Sequence, residues 1–284
     1  MEAKTVNAIT TASRKQQKQL ALLLALVVLS SVMVCALNAA ADMFLPLAAG
    51  EIVFQEGDLL IDASHCNQGY LMAKHEPNKK GLKIRLSCGK ASLSYDFAAD
   101  GEYEVFPLQL GNGKYKVEVF QQASGRKYKP LMDTTIEVEL TSDTLPYLFP
   151  NQYVDYTDDS DAVIKSIELC HGLETDWEKY QAIYRYMANH MVYDFDKARK
   201  VSTGYLPVVD DVLYAQKGIC FDLSALMATM LRTQGIPTQL VIGYADRIYH
   251  AWNLVYLDGV WYRCDITSDI MCMDVKRYTT ERYY

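Results

Sequence analysis

A cysteine at the first turn of an amphipathic helix is placed to react as well as to pack. Cys220 opens the stretch CFDLSALMATMLRTQGIP, in which Leu223, Leu226, Met227, Met230 and Leu231 make one apolar stripe. Gly235 supplies a left-handed stop and Pro237 blocks continuation, so the spacing predicts a helix over about 221–234. The free N–H groups and the dipole at its start favour an anion, and the thiolate is the nucleophilic form of cysteine. Gly218, just before it, leaves room for a ligand or a tight turn. Downstream, HAWNLVYL and VWYRCDITS read as strands joined by Asp258-Gly259, the signal of a type I′ hairpin. A two-residue turn pairs Leu257 with Val260. Counting back, Trp252 falls opposite Asp265 and His250 opposite Thr267, which puts His250 and Asp265 diagonally on one face at about 7–8 Å.

A thiol at a helix start, an imidazole and a carboxylate are the parts of a nucleophilic triad. The thiolate attacks an acyl carbon, the histidine later protonates the leaving amine, and the aspartate fixes the ring. N–H groups at the helix start, that of Cys220 included, are placed to hold an oxyanion. Taken singly, each residue has a plainer role: a buried cysteine, a strand histidine, a strand-end acid. Their appearance together, in helix–strand–hairpin order, favours the reactive role.

Two sets of elements carry these residues. From about 51 to 140 the pattern alternates with period two in GLKIRLS, EYEVFPLQL, KYKVEVF and TTIEVEL, which predicts a small antiparallel β-sandwich over 50–141. Gly111-Asn112-Gly113 reads as a hairpin loop between two of these strands. His65 and His75 are isolated and carry no constellation. Residues 142–161 read as a linker, with two prolines and the acids Asp155, Asp158, Asp159 and Asp161. Those acids lack EF-hand spacing and suit a solvated segment and a helix start. The second part, 162–284, opens with helices: a short one to His171 before Gly172, then one opened by the capping box Thr175-Asp176-Trp177-Glu178 and running to about His190.

The chain has 284 residues and a formal charge of −7, with Lys4, Arg14, Lys15 and Lys18 concentrated near the start. The acidic remainder lacks the basic face that nucleic acid requires. Residues 1–49 contain RKQQKQ followed by the uncharged run LALLLALVVLSSVMVCALNAAA, which fits a cleaved signal peptide or a retained membrane anchor. Either way the rest faces outward, so an exported protein at the extracellular or outer face of the membrane is expected. The seven cysteines are too sparse for a disulfide-built fold, although Cys66 and Cys88 could pair. No C-x-x-C pair occurs, and Cys264 and Cys272 match no common ligand spacing, so neither a metal nor another cofactor is expected.

The ordered set G-x-C at the helix start, H-A-W on a strand and an aspartate on the next strand resembles the core of the transglutaminase-like superfamily, which is related to papain-like cysteine enzymes. The likeness covers about 157–268 and is similar to bacterial exported members with an N-terminal β-sandwich, Ig-like, domain. It implies an α+β, papain-like catalytic core preceded by the sandwich, with Cys220, His250 and Asp265 as the triad. After the aspartate the family usually has D-P-T, whereas this chain has Asp265-Ile266-Thr267. Gln216 and Tyr193 are candidates for an upstream oxyanion donor, and Trp252 for shielding the histidine and lining the site. The expected function is cleavage or transfer at amide bonds of proteins or peptides, cell-wall peptides among them, by a cysteine hydrolase or a transglutaminase-type acyltransferase. The competing expectation is an inactive cell-envelope binding module that works through the sandwich.

Overall fold

Alternation of apolar and polar residues folds the first half into strands. The computed structural model describes residues 43–78 and 80–284; of the segment 1–49 expected to be a signal or anchor, residues 1–42 lie outside the described residues, while Phe44 and Ala48 pack against Tyr70 and Phe149. The strands are β1 (Val53–Glu56), β2 (Leu59–Asp62), β3 (Tyr70–His75), β4 (Leu82–Cys88), β5 (Ala91–Phe97), β6 (Glu104–Pro107), β7 (Gly113–Ser124) and β8 (Lys127–Val138). They form two four-stranded antiparallel sheets, ordered β1-β2-β3-β6 and β5-β4-β7-β8. Tyr115, Val117 and Val119 share one face of β7, as their spacing predicts, and all three are fully buried.

Gly111-Asn112-Gly113 does not close a hairpin. It carries the chain from β6 in one sheet to β7 in the other. Both glycines have positive φ (83° and 137°), and the Tyr115 hydroxyl accepts from Leu110 N at 2.8 Å and donates towards the carbonyls of Leu108 and Gly111. A buried tyrosine therefore fixes a crossover that looks like a tight turn in the sequence.

In the stretch 142–161 the acids Asp155, Asp158, Asp159 and Asp161 are exposed, as expected, but the apolar and aromatic residues between and before them are packed. Tyr147, Leu148, Phe149, Val154 and Tyr156 are all buried, because its aromatic side chains outweigh its prolines and acids. Ser160 then caps α1 (Asp161–Cys170). In α2 (Asp176–His190) the capping box is closed in both directions: Glu178 N donates to Thr175 Oγ1 at 3.2 Å, and Thr175 N donates to Glu178 Oε2 at 3.0 Å.

The second half continues through β9 (Val192–Tyr193), α3 (Phe195–Lys200), α4 (Val209–Ala215), β10 (Lys217–Gly218), α5 (Cys220–Thr233), β11 (Thr238–Ala245), β12 (Ile248–Leu257), β13 (Val260–Cys264), α6 (Ile266–Ile270) and β14 (Tyr278–Tyr283). The four long strands form an antiparallel sheet ordered β13-β12-β11-β14. The apolar stripe of α5 is wholly buried, worth roughly 1.5–3 kcal/mol per large side chain. Two polar ties fix its position. Ser166 Oγ on α1 donates to Met230 O at 2.6 Å, and Asn253 Nδ2 on β12 donates to Ser224 O at 3.0 Å. The fully buried Arg232 donates to the carbonyls of Phe149, Thr238 and Tyr284, joining α5 to the segment before α1, to the inner strand β11 and to the end of the edge strand β14. Residues from Phe44 to Tyr284 make one compact unit of mixed α/β class.

Candidate active site

Local capping chemistry puts Cys220 at the start of α5. Gly218 lies in β10, paired in parallel with Tyr193 of β9, and Ile219 precedes the helix. Asp222, fully buried, turns back to accept from Ile219 N at 2.9 Å. A Cβ on residue 218 would lie 2.6 Å from that of Asp222, so the space that the glycine leaves is filled by this carboxylate rather than by a ligand or turn. Asp222 also accepts from Lys197 Nζ at 2.7 Å and from the Tyr205 hydroxyl at 2.5 Å. The same contacts tie α3 and the loop after it to the helix start.

His250 comes from β12 and Asp265 from the end of β13. The hairpin has the register counted from Asp258-Gly259: Leu257 pairs with Val260 and Asn253 with Cys264. Both turn residues have positive φ, 48° and 82°, as a type I′ turn demands. Asp265 lies just past the last strand residue and caps α6, a short helix that the sequence did not signal. Its Oδ1 accepts from Ser268 N at 3.0 Å, and its Oδ2 from the Ser268 hydroxyl at 2.6 Å and the Tyr278 hydroxyl at 2.7 Å. Nε2 of His250 donates to both oxygens, at 3.0 and 2.9 Å. Nδ1 is the ring nitrogen that Asp265 leaves free, and Cys220 lines the same cleft as the ring and acts on its charge.

Burial pulls the His250 imidazolium down. The hydrogen bonds to Asp265, with the nearby Cys220 sulfur adding to them, outweigh it, and the pKa is pushed up to about 9. Burial likewise works to raise the Asp265 carboxyl, but the imidazolium and the Ser268 donors hold it below its ordinary value. The pair is thus set to carry a charged ring beside a sulfur.

Cys220 and His250 open into a cleft of about 450 Å³, walled by the loop from Val201 to Tyr205 on one side and by Ile242, Tyr249 and Ala251 on the other. Family comparison bears on this region directly: residues 166–266 match the family described as "Transglutaminase-like superfamily". The chain carries a transglutaminase-like domain. Over 113 aligned residues the chain is 31% identical to Kyphoscoliosis peptidase of Homo sapiens and 30% to that of Mus musculus, covering 35% of this chain and 17% of each relative. The chain thus matches only a minor part of these curated relatives. Solved structures that resemble it include a TGase (29% identity, 38% of this chain and 31% of that one, TM-score 0.32) and red sea bream transglutaminase (14%, 69% and 47%, TM-score 0.27).

The other site candidates divide. Tyr193 lines the cleft of the transglutaminase-like domain, placed by its pairing with Gly218; burial, with the Cys220 charge next, raises its hydroxyl pKa. Gln216 caps α4 in the left-handed conformation (φ 50°), is exposed, and does not line the cleft. Trp252 is buried behind the histidine, its ring stacked on His250 at 6.3 Å and edge-on to Tyr278 at 5.0 Å. It shields His250 but does not line the cleft. Sequence reasoning missed Asp222, Lys197 and Tyr205, which brace the helix start, and Ser268 and Tyr278, which brace Asp265. An aspartate two residues after the cysteine was the available signal for the first group. The described cysteines, Cys66 and Cys88 included, are all free thiols. A larger hollow of about 540 Å³ beside Glu104 and Asp155 is lined by neither a thiol nor an imidazole, so chemistry rather than size selects the cleft at Cys220.

Proposed function

We propose that this chain is a thiol enzyme acting on amide bonds through Cys220, His250 and Asp265. The observation that carries the reading is a cleft lined by both Cys220 and His250, with the ring of His250 held through Nε2 by the buried Asp265. The thiolate attacks the amide carbon, and the carbonyl electrons move to oxygen, held by the Cys220 amide and the Tyr193 hydroxyl. As the C–N bond breaks, Nδ1–H of His250 gives its proton to the departing amine, leaving a thioester on Cys220. Neutral Nδ1 then accepts a proton from water, whose oxygen attacks the thioester, and the acid and thiolate are released. A primary amine in place of water gives a transferred amide by the same steps.

Hydrolysis is the preferred outcome. The name of the human and mouse relatives, a peptidase, favours it. The proposed substrates are proteins or peptides, cell-wall peptides among them, met outside the membrane as the basic and then apolar N-terminal segment suggests. The test is turnover of peptide amides, with and without an added primary amine, by wild type and Cys220→Ala. Release of product by wild type alone supports the reading. Equal turnover by both proteins would remove it.

A further inference from the structure

The cleft holds one permanently charged side chain that the proposed acyl chemistry does not use. Arg282 stands on β14 directly across from Ile242 of β11, and Ile242 is directly across from Ala251 of β12. Paired residues of neighbouring strands point to one face of a sheet. Arg282, Ile242 and Ala251 therefore form a row across three strands; His250, the neighbour of Ala251, projects from the other face of β12, and it is the cleft, which all four residues line, that brings the guanidinium and the imidazole to one space.

No carboxylate in the cleft answers that charge. No aspartate or glutamate lines it. Among the described residues no salt bridge includes Arg282. Its guanidinium has five N–H donors, and one nitrogen, Nη2, donates to the Tyr249 hydroxyl at 2.7 Å. Tyr249 is in turn held edge-on by Tyr244 at 5.5 Å, which fixes the direction of the fork. The strand is fixed as well: Tyr284 stacks on Tyr153 at 3.8 Å, and Gln109 Nε2 donates to the Tyr283 carbonyl. A positioned guanidinium with spare donors matches a carboxylate in two-point geometry. In a chain of net charge −7, a cleft whose permanent charge is positive also sorts its ligands by sign.

We infer that Arg282 is a specificity-determining residue that selects substrates carrying a carboxylate within reach of the attacked acyl group, an inference that rests on the proposed thiol chemistry of Cys220. The carboxylate is either an acidic side chain or a free chain terminus. Four peptides with one scissile amide separate these sources: Glu or Gln near the bond, each with a free or an amidated C-terminus. The full chain is assayed as wild type, Arg282→Gln and Arg282→Lys. Wild type is expected to favour one carboxylate-bearing peptide over its neutral match by about fivefold in kcat/KM, the worth of a partly exposed ion pair. Arg282→Gln abolishes that ratio, and Arg282→Lys keeps part of it. An unchanged ratio in Arg282→Gln, or no preference in wild type, overturns the inference.

A second readout needs no turnover. Alkylation of Cys220 is followed on its own tryptic peptide with anionic iodoacetate and neutral iodoacetamide. The rate ratio of the two reagents falls about fivefold in Arg282→Gln if the guanidinium attracts carboxylates to the thiol. Failure of every peptide to turn over, with this ratio still dependent on Arg282, discards the amide chemistry and retains the carboxylate site. A ratio that does not respond to residue 282 discards the site.

Discussion

Replacing Asp265 by asparagine isolates the charge that holds His250. The amide oxygen can still accept from Ser268 N, and the Ser268 and Tyr278 hydroxyls can turn to accept from the new NH₂, so the α6 cap survives. What disappears is the anion bonded twice to Nε2. The His250 pKa stands at about 9 against an ordinary 6.5. At about 1.36 kcal/mol per unit, that rise is worth roughly 3 kcal/mol of preference for the charged ring. Burial alone acts the other way, so without the carboxylate the pKa returns to about 7 or below. A loss of about 2 units corresponds to about 100-fold in stabilisation of the imidazolium that must protonate the leaving amine. Asp265→Asn should therefore lose about 100-fold in kcat at pH 8, with a smaller deficit at pH 6, where either ring is charged. NMR titration of His250 in both proteins gives the pKa directly. The linkage has a definite sign. A histidine whose folded-state pKa is raised stabilises the fold fully below its unfolded value near 6.5 and loses that contribution as pH rises through about 9. The stability gap between wild type and variant should narrow over that window in urea denaturation. A His250 pKa that moves by less than about half a unit in Asp265→Asn would refute the reasoning.

Arg232→Met removes the donor that the buried carbonyls of Phe149 and Thr238 receive and one of the two that reach Tyr284 O, and it should destabilise the fold by about 3 kcal/mol or more in urea melts. A Cβ at Gly243 would sit 2.0 Å from the Thr279 carbonyl, so Gly243→Ala should detach β14 and speed hydrogen exchange at 278–283 while α5 stays protected. Tyr193→Phe keeps the ring and removes the hydroxyl; kcat should fall about 10- to 100-fold with little change in KM, and an unchanged kcat removes Tyr193 from the oxyanion site.

Much of the positioning scaffold was legible because it rests on local rules. Asp258-Gly259 gave the turn type and hence the register that sets His250 against Asp265. Thr175 and Glu178 gave the start of α2, and Gly235 with Pro237 the end of α5, because capping is decided within a few residues. The unread features are long-range. Asp222 reaches Tyr205 and Lys197 across a loop whose path no periodicity reports. Tyr278 and Arg282 lie on an edge strand whose partner, β11, is distant in sequence. The Gly111–Gly113 turn looks local, but whether it closes a hairpin or crosses between sheets depends on which strands pair, and there Tyr115 decides the outcome. Gln216 was named for its nearness to Cys220 in sequence, and a left-handed backbone at that residue turns it out of the cleft.

Trapping the acyl group is the most direct test of the central claim. The full chain is mixed with an activated peptide ester, quenched in acid within seconds, digested and weighed. The account predicts the acyl mass on the peptide that contains Cys220, its loss in His250→Ala, and its decay with time in wild type. An adduct on Cys272 or Cys66 instead, or steady turnover with Cys220 unmodified, would contradict it.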